Sequence, residues 1–212
     1  MMMNAIEHFK TITAHKILVM KGCFKVGLYR QGLLHDLSKY NPIEFIPGCL
    51  YYKGTESPNN TERKKRGVSY AWLHHKGRNK HHFEYWIDYT LKKGHPIEGN
   101  KMPVKYVVEM YVDRVMASKN YQKDKYTDSS ALEYYEKGKK RYMMHPDTEA
   151  LLVMLLTYLA ENGEEAANDY IRKEILHTDR KVKLVKKITA AIKANVDKNQ
   201  KRVAANINRY KL

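Results

Sequence analysis

The sequence predicts an all-α protein that ends in a basic amphipathic helix. Apolar residues recur at helical spacing along almost the whole chain, and neither alternating strand patterns nor tight hairpin signals stand out. All six prolines lie at or before Pro146, so Gly163 is the main interruption expected in the C-terminal third. A chain of 212 residues is long enough for one substantial core. We therefore expect a helical domain over residues 1–176 and a helical extension over 177–212.

Two helices are predicted ahead of the first proline, over about 4–21 and 24–39, with Gly22 ending the first of them. A third begins after Asn41. This residue has the character of a helix cap, because a proline follows it at the first helical position and Glu44 can reach back to the cap.

A polar, proline-containing loop is predicted next, over residues 53–62. Ser130 and Glu133 have the spacing of a capping box, and Asn162-Gly163 marks a turn. Between and beyond these signals, the apolar spacing predicts helices over about 64–76, 82–93, 103–119, 130–142, 147–161 and 164–176.

The net charge of +16 is concentrated at the C-terminus. Residues 171–212 hold 13 Lys and Arg against three acids and so supply +10 of it, mostly on a predicted amphipathic helix over 179–210. This helix is expected either to pack on the domain or on a second copy, forming a homodimer, or to contact nucleic acid or an acidic partner. It lacks the Trp and Phe anchors that favour a membrane surface.

Other features exclude several classes of protein. Two cysteines are too few for a disulfide scaffold. The N-terminus is charged where a secretory signal needs an apolar run. The longest apolar stretch, Ala150–Ala160, is roughly half of the ~20 residues that a membrane span requires. We therefore expect a cytoplasmic protein with no membrane partner.

Histidines and acids occur in patterns that predict a metal site. The segment GLLHDLSKY presents His35 beside Asp36, and Asp113 lies among valines of a predicted helix. Imidazole is the commonest protein ligand of metals, and a buried carboxylate needs a cation or an ion pair. Four of the ten histidines fall in the window HHKGRNKHH, as His74, His75, His81 and His82.

Taken in chain order, His15, GLLHDLSK, the paired histidines and Asp113 resemble the HD-domain superfamily of metal-dependent phosphohydrolases over about residues 8–120. The block HHKGRNKHHFEYW resembles a small branch of this superfamily with no established substrate. The resemblance implies an HD-domain-like helical bundle that holds one or two divalent ions, with Mn, Fe, Co, Mg and Zn all open. The implied ligands are His15, His35, Asp36, Asp113 and members of the pairs His74/His75 and His81/His82, with the choice within each pair open.

The activity that the resemblance implies is hydrolysis of a nucleotide or another small phosphate ester, a monoester or a diester. Asp36 would bridge two metals, Lys39 would face the phosphoryl oxygens, and Glu84 would act as an acid or base. Lys76 and Arg78, between the histidine pairs, would join Lys39 in contacting the substrate phosphate.

Two other functions are also compatible with the sequence. A di-iron oxygenase on an HD-type scaffold would keep the metal ligands and activate oxygen instead of water. A nucleic-acid- or partner-binding helical protein would hold only a structural metal and would use the basic C-terminal segment. Dioxygen consumption distinguishes the first from a hydrolase, and deletion of the C-terminal segment tests the second.

Overall fold

The computed structural model describes residues 2–94 and 96–177, with short helical pieces at 188–189, 192–193 and 196–197. This part of the chain is all-α apart from one small hairpin, so the predicted fold class is confirmed. No helix in it is long and apolar enough to cross a membrane. Its helices are α1 (Met2–Lys25), α2 (Tyr29–Leu34), α3 (Pro42–Tyr51), α4 (Pro58–Arg66), α5 (Tyr70–Arg78), α6 (Val104–Gln122), α7 (Ser130–Gly138) and α8 (Pro146–Tyr170).

Helix α6 runs through the middle of the core and packs against α1, α7 and α8. A helix that is apolar on most sides must be buried, because each exposed Val or Leu side chain forgoes roughly 1.5–3 kcal/mol of transfer free energy. Val108, Val112 and Val115 of α6 are all buried, together with Val19 of α1 and Leu152 of α8. Polar residues of α6 are thereby carried into the interior of the protein.

The predicted end of the first helix at Gly22 is wrong, because α1 continues to Lys25. Gly22 has a packing role instead. A Cβ atom at this position would lie 2.7 Å from Cγ1 of Val112, so the missing side chain lets α1 approach α6 closely. The chain turns only at Gly27, whose φ of 83° is accessible to glycine at little cost.

The predicted continuous helix over 24–39 is also wrong. It is interrupted after α2 by an extended His35 and by Asp36 in the left-handed region, with φ 54° and ψ 22°. A 3₁₀ turn, Leu37–Tyr40, follows. Consecutive side chains on a helix point about 100° apart, whereas this break turns both His35 and Asp36 into the core, where they are buried.

Residues 82–93 do not form the predicted helix. A 3₁₀ turn, Phe83–Trp86, leads into strand β1 (Ile87–Tyr89), which pairs antiparallel with β2 (Ile97–Gly99), Ile87 opposite Gly99. Ile87, Asp88 and Tyr89 alternate between apolar and polar side chains, as in a strand. Three residues are too few for this pattern to distinguish a strand from a helix. The hairpin lies between α5 and α6 in the chain and connects them.

The predicted helix over 64–76 is divided into α4 and α5. Gly67, with φ 75°, ends α4, and the Ser69 side chain caps α5 by accepting from the backbone N–H of Trp72. The expected turn at Asn162-Gly163 is confirmed as an interruption of α8, where Gly163 has φ 81° and ψ 168°. The helix resumes there and ends in a wider turn, Ile171–Ile175.

The predicted basic helix over 179–210 lies outside the described residues, apart from the three short pieces. The boundary at residue 177, the homodimer and the nucleic-acid or acidic partner therefore stay predictions. Ile188, Ile192 and Val196, three members of the predicted apolar stripe, are exposed.

Candidate metal centre

The candidate metal centre is assembled from four stretches of the chain. Helix α1 contributes His15, and the break after α2 contributes His35 and Asp36. The third stretch is the end of α5 with the residues that follow it, and the fourth is α6. Two groups of closely spaced side chains contain its candidate ligands, His15, His35 and Asp113, and Asp36, His75, His81 and His82. A third close set joins His35 and His81 to Glu109.

The first group surrounds Asp113. Its Oδ1 atom lies 3.0 Å from Nε2 of His15 and 3.6 Å from Nε2 of His35. The same nitrogen of His35 lies 3.5 Å from Oδ2 of Asp36. All four residues belong to the ligand set that the resemblance implies, and the structure brings them together.

The second group surrounds the other oxygen of Asp36. Its Oδ1 atom lies 3.3 Å from Nε2 of His75 and 3.4 Å from Nε2 of His81. Nε2 of His82 lies 2.9 Å from Nε2 of His75. One oxygen of Asp36 therefore faces each group, which is the arrangement that a carboxylate bridging two cations requires.

Glu109 is a candidate functional residue that the sequence analysis did not identify. Its Oε1 atom lies 3.1 Å from Nδ1 of His35 and 3.3 Å from Nδ1 of His81. A carboxylate can only accept here, so both imidazoles donate from Nδ1, and their Nε2 atoms face Asp36. Its position in the sequence could have identified it, because it lies one helical turn before Asp113 in the same apolar helix.

Three of the inward-facing atoms have no hydrogen-bond partner in the described part of the chain, although they are fully buried. They are Nε2 of His35, Nε2 of His81 and Oδ1 of Asp36. Buried acceptors normally have partners, because each one left unpaired costs about 1–3 kcal/mol. The ligand atoms of each group lie within 4.8 Å of one another, and imidazole nitrogens with carboxylate oxygens suit Zn, Mn, Fe and Co. The residues present therefore fit a divalent metal.

The charges at this centre are strongly coupled. Burial lowers the pKa of His35, but Asp36, Asp113 and Glu109 outweigh burial and raise that pKa to about 10. Burial raises the pKa of Asp36, but His35 and Lys39 outweigh it and hold the pKa well below its usual value. The carboxylates are thus ionised at neutral pH, as metal ligands must be.

The structure places His74 outside both groups. Its Nδ1 lies 2.6 Å from Oε1 of Glu44, and its Nε2 accepts from Nε of Arg78 at 2.6 Å, so both ring nitrogens are engaged. The other oxygen of Glu44 lies 2.7 Å from Nδ1 of His75. Glu44, expected to reach back to its helix cap, instead orients His75, while Asn41 caps α3 as predicted by accepting from the N–H of Ile43.

The centre opens into a cleft with two arms that share Trp72, His82 and Asp113. The first arm has a volume of about 260 Å³ and is lined by Lys39, whose ammonium lies 2.6 Å from Oδ2 of Asp36. The second arm has a volume of about 470 Å³ and is lined by aromatic side chains. Neither Lys76 nor Arg78, the other predicted phosphate contacts, lines either arm.

Glu84 and Arg114 line the second arm. Oε2 of Glu84 and Nε of Arg114 are buried and have no hydrogen-bond partner among the described residues. Burial raises the pKa of Glu84. The guanidinium of Arg114 lies over the ring of Tyr142, 4.8 Å from its centroid. A protonatable carboxyl and a cation therefore lie in the larger arm, beside aromatic rings.

A family model described as a family of unknown function, DUF5662, matches residues 4–158. This span is well over half of the chain and includes both groups of candidate ligands, together with Glu44, Glu84 and Glu109. Neither the curated proteins nor the solved structures give a match.

Proposed function

The chain belongs to the DUF5662 family, whose function is unknown, and from that starting point we propose that it is a metal-dependent phosphohydrolase of the HD-domain type. Its substrate is a nucleotide or another small phosphate ester. The site itself, rather than a named relative, supports this proposal.

One observation carries the proposal. Oδ1 of Asp36 and the Nε2 atoms of His35 and His81 are buried and close together, and none of them has a hydrogen-bond partner among the described residues. Two imidazole nitrogens and an ionised carboxylate face one another here. A metal cation would displace the proton that His35 holds at neutral pH, where its pKa is raised to about 10, and would bind all three ligand atoms at once.

Asp36 would belong to both metal sites. His15, His35 and Asp113 would complete the first, and His75, His81 and His82 the second. When bound, two divalent ions supply a nucleophilic water at neutral pH and positive charge for the phosphoryl oxygens. Glu109 and Glu44 keep the imidazoles in the tautomer that leaves Nε2 available.

The cleft supports a phosphate ester as the substrate. Lys39, at the centre, places an ammonium where negative charge builds up on a phosphoryl group. The larger arm, with Tyr134, Tyr142 and Arg114, has the lining expected for a planar leaving group such as a nucleoside. Glu84 lines this arm, and burial raises its pKa, which favours the proton donor that the leaving-group oxygen needs as the ester bond breaks.

The test is to strip the protein of metal and reload it with Mn, Fe, Co, Mg or Zn in turn. Each form is then assayed against nucleoside monophosphates and triphosphates, cyclic nucleotides and p-nitrophenyl phosphate. We expect turnover that depends on the metal and is lost in Asp36→Asn. The matched control is Asp124→Asn, which makes the same change at an exposed carboxylate in the turn after α6.

A folded, metal-loaded protein that turns over none of these substrates contradicts the proposal. Consumption of dioxygen by the iron-loaded form, without phosphate release, favours the di-iron oxygenase instead.

A further inference from the structure

A separate pocket lies behind the candidate metal centre and is called the rear pocket below. It has a volume of about 240 Å³ and is lined by four cationic side chains, Arg30, Arg78, Lys80 and Lys105, with Tyr106 and Glu109 among its other walls. It shares no lining residue with either arm of the cleft. The rear pocket is therefore a distinct feature of the surface.

None of the four cations forms an ion pair with a carboxylate in the part of the chain that the structure describes. Lys80 and Lys105 lie over the ring of Tyr106, 6.0 and 5.0 Å from its centroid. Arg78 uses its Nε to donate to His74, which leaves its terminal nitrogens available. Arg78, Lys80 and Lys105 are thus held by aromatic and imidazole contacts rather than by counter-charges.

The acid that lines the rear pocket, Glu109, does not neutralise them. It is buried and already faces the Nδ1 atoms of His35 and His81. Cations gathered without a counter-charge repel one another, and an anion bound among them removes that cost. Arginine and lysine together fit phosphate oxygens, arginine through its planar fork and lysine as a point charge.

We propose that the rear pocket binds a small ligand carrying two or more linked phosphate groups. Four cations exceed what one phosphate group neutralises, which favours a diphosphate or triphosphate over a single phosphate. Glu109 and His81 both line this pocket and both belong to the metal centre, where His81 faces Glu109 through Nδ1 and Asp36 through Nε2. A ligand in the rear pocket would therefore lie against side chains that also belong to the metal centre.

The experiment is calorimetric titration of inorganic pyrophosphate into the full-length, metal-free protein at low ionic strength. Without metal, the readout does not depend on the proposed hydrolase activity. The test variant is the double substitution Arg30→Ala with Lys105→Ala, both at exposed positions. The control is Lys137→Ala with Lys140→Ala, which removes the same charge from exposed sites of and just after α7.

We expect one pyrophosphate to bind per chain, at least tenfold more weakly in the test variant and unchanged in the control. The control also accounts for loss of net charge, since long-range attraction falls equally in both variants. Equal affinities in the two variants would overturn the proposal and assign the binding to the basic C-terminal segment or to the cleft. A second result would also overturn the proposal: tighter binding of a single-stranded RNA than of pyrophosphate, with affinity for the RNA lost only in the test variant. That result would make the pocket a nucleic-acid contact.

Discussion

Glu109 and Asp113, one turn apart on α6, face opposite nitrogens of the same imidazoles. Glu109 lies 3.1 Å from Nδ1 of His35, and Asp113 lies 3.6 Å from its Nε2. His81 has the same relationship to both carboxylates, at 3.3 and 4.0 Å. The two acids therefore have different proposed roles. Asp113, on the Nε2 side, would bind the metal together with the imidazole, whereas Glu109, on the Nδ1 side, would hold the proton of the imidazole on Nδ1.

Asp36→Asn is expected to remove metal from both sites, because one oxygen of Asp36 faces each group. Asp113→Asn should empty only the first group, and His82→Gln only the second. Elemental analysis of the purified proteins, with circular dichroism to check folding, gives the metal content per chain. Undiminished metal in Asp36→Asn would contradict the bridging role.

Glu109→Gln is expected to weaken metal binding about 10–100-fold without removing any ligand. The amide can no longer accept as a carboxylate from both His35 and His81, so their orientation and basicity fall. Competition with a chromogenic chelator measures the affinity directly. Glu165→Gln, at an exposed position of α8, is the control and should bind metal as the natural sequence does. Equal affinities for the two variants would exclude the positioning role.

Glu84→Gln is expected to slow turnover about 10²-fold for esters with poor leaving groups, as loss of a proton donor does. Esters of p-nitrophenol, which leaves without protonation, should be affected far less. Burial raises the pKa of Glu84 and so favours the protonated form that a proton donor requires. The measurement is kcat for a series of leaving groups. A uniform loss across the series would indicate a structural effect.

Protonation of His8 is expected to destabilise the protein below neutral pH. Burial, with a smaller contribution from Lys39, lowers the pKa of His8 to about 4, against an ordinary value of 6.5. Between these values the unfolded chain binds a proton that the folded protein excludes, so stability falls as pH falls through this window. The loss attributable to His8 between pH 7 and pH 5 is about 2 kcal/mol.

Urea unfolding of the natural protein and of His8→Gln at both pH values tests this expectation. The variant should lose less stability than the natural protein between pH 7 and pH 5, whatever its starting stability. Parallel losses in the two proteins would show that His8 does not titrate as its burial predicts.

Gly22→Ala and Gly77→Ala are expected to have opposite effects on stability. The new Cβ at position 22 would meet Val112 at 2.7 Å, so overpacking should cost about 1–3 kcal/mol. At position 77, in α5, a Cβ meets no atom within 4 Å, and the better helix propensity of Ala should add about 0.5–1 kcal/mol. Denaturant midpoints measure both. Stabilisation by Gly22→Ala would mean that α1 and α6 are less closely packed.

Much of the secondary structure was predictable, since helical periodicity and capping are local properties. Asn41 caps α3 as expected, and α6 matches its prediction closely. The errors fall where packing outweighs local preference. Gly22 lies at a close contact between α1 and α6 rather than at a helix end. The helix breaks at Asp36 because the break turns the side chains of His35 and Asp36 into the core.

The sequence by itself determined the helical class and the residue types from which a metal centre can be built at His15, His35, Asp36 and Asp113. Only the tertiary structure separated His74, whose two ring nitrogens both have partners, from His75, His81 and His82, which lie together as candidate ligands. It also supplied Glu44 and Glu109. The physical reason is that an imidazole's role depends on what its second nitrogen contacts, and that partner comes from another helix, distant in the chain.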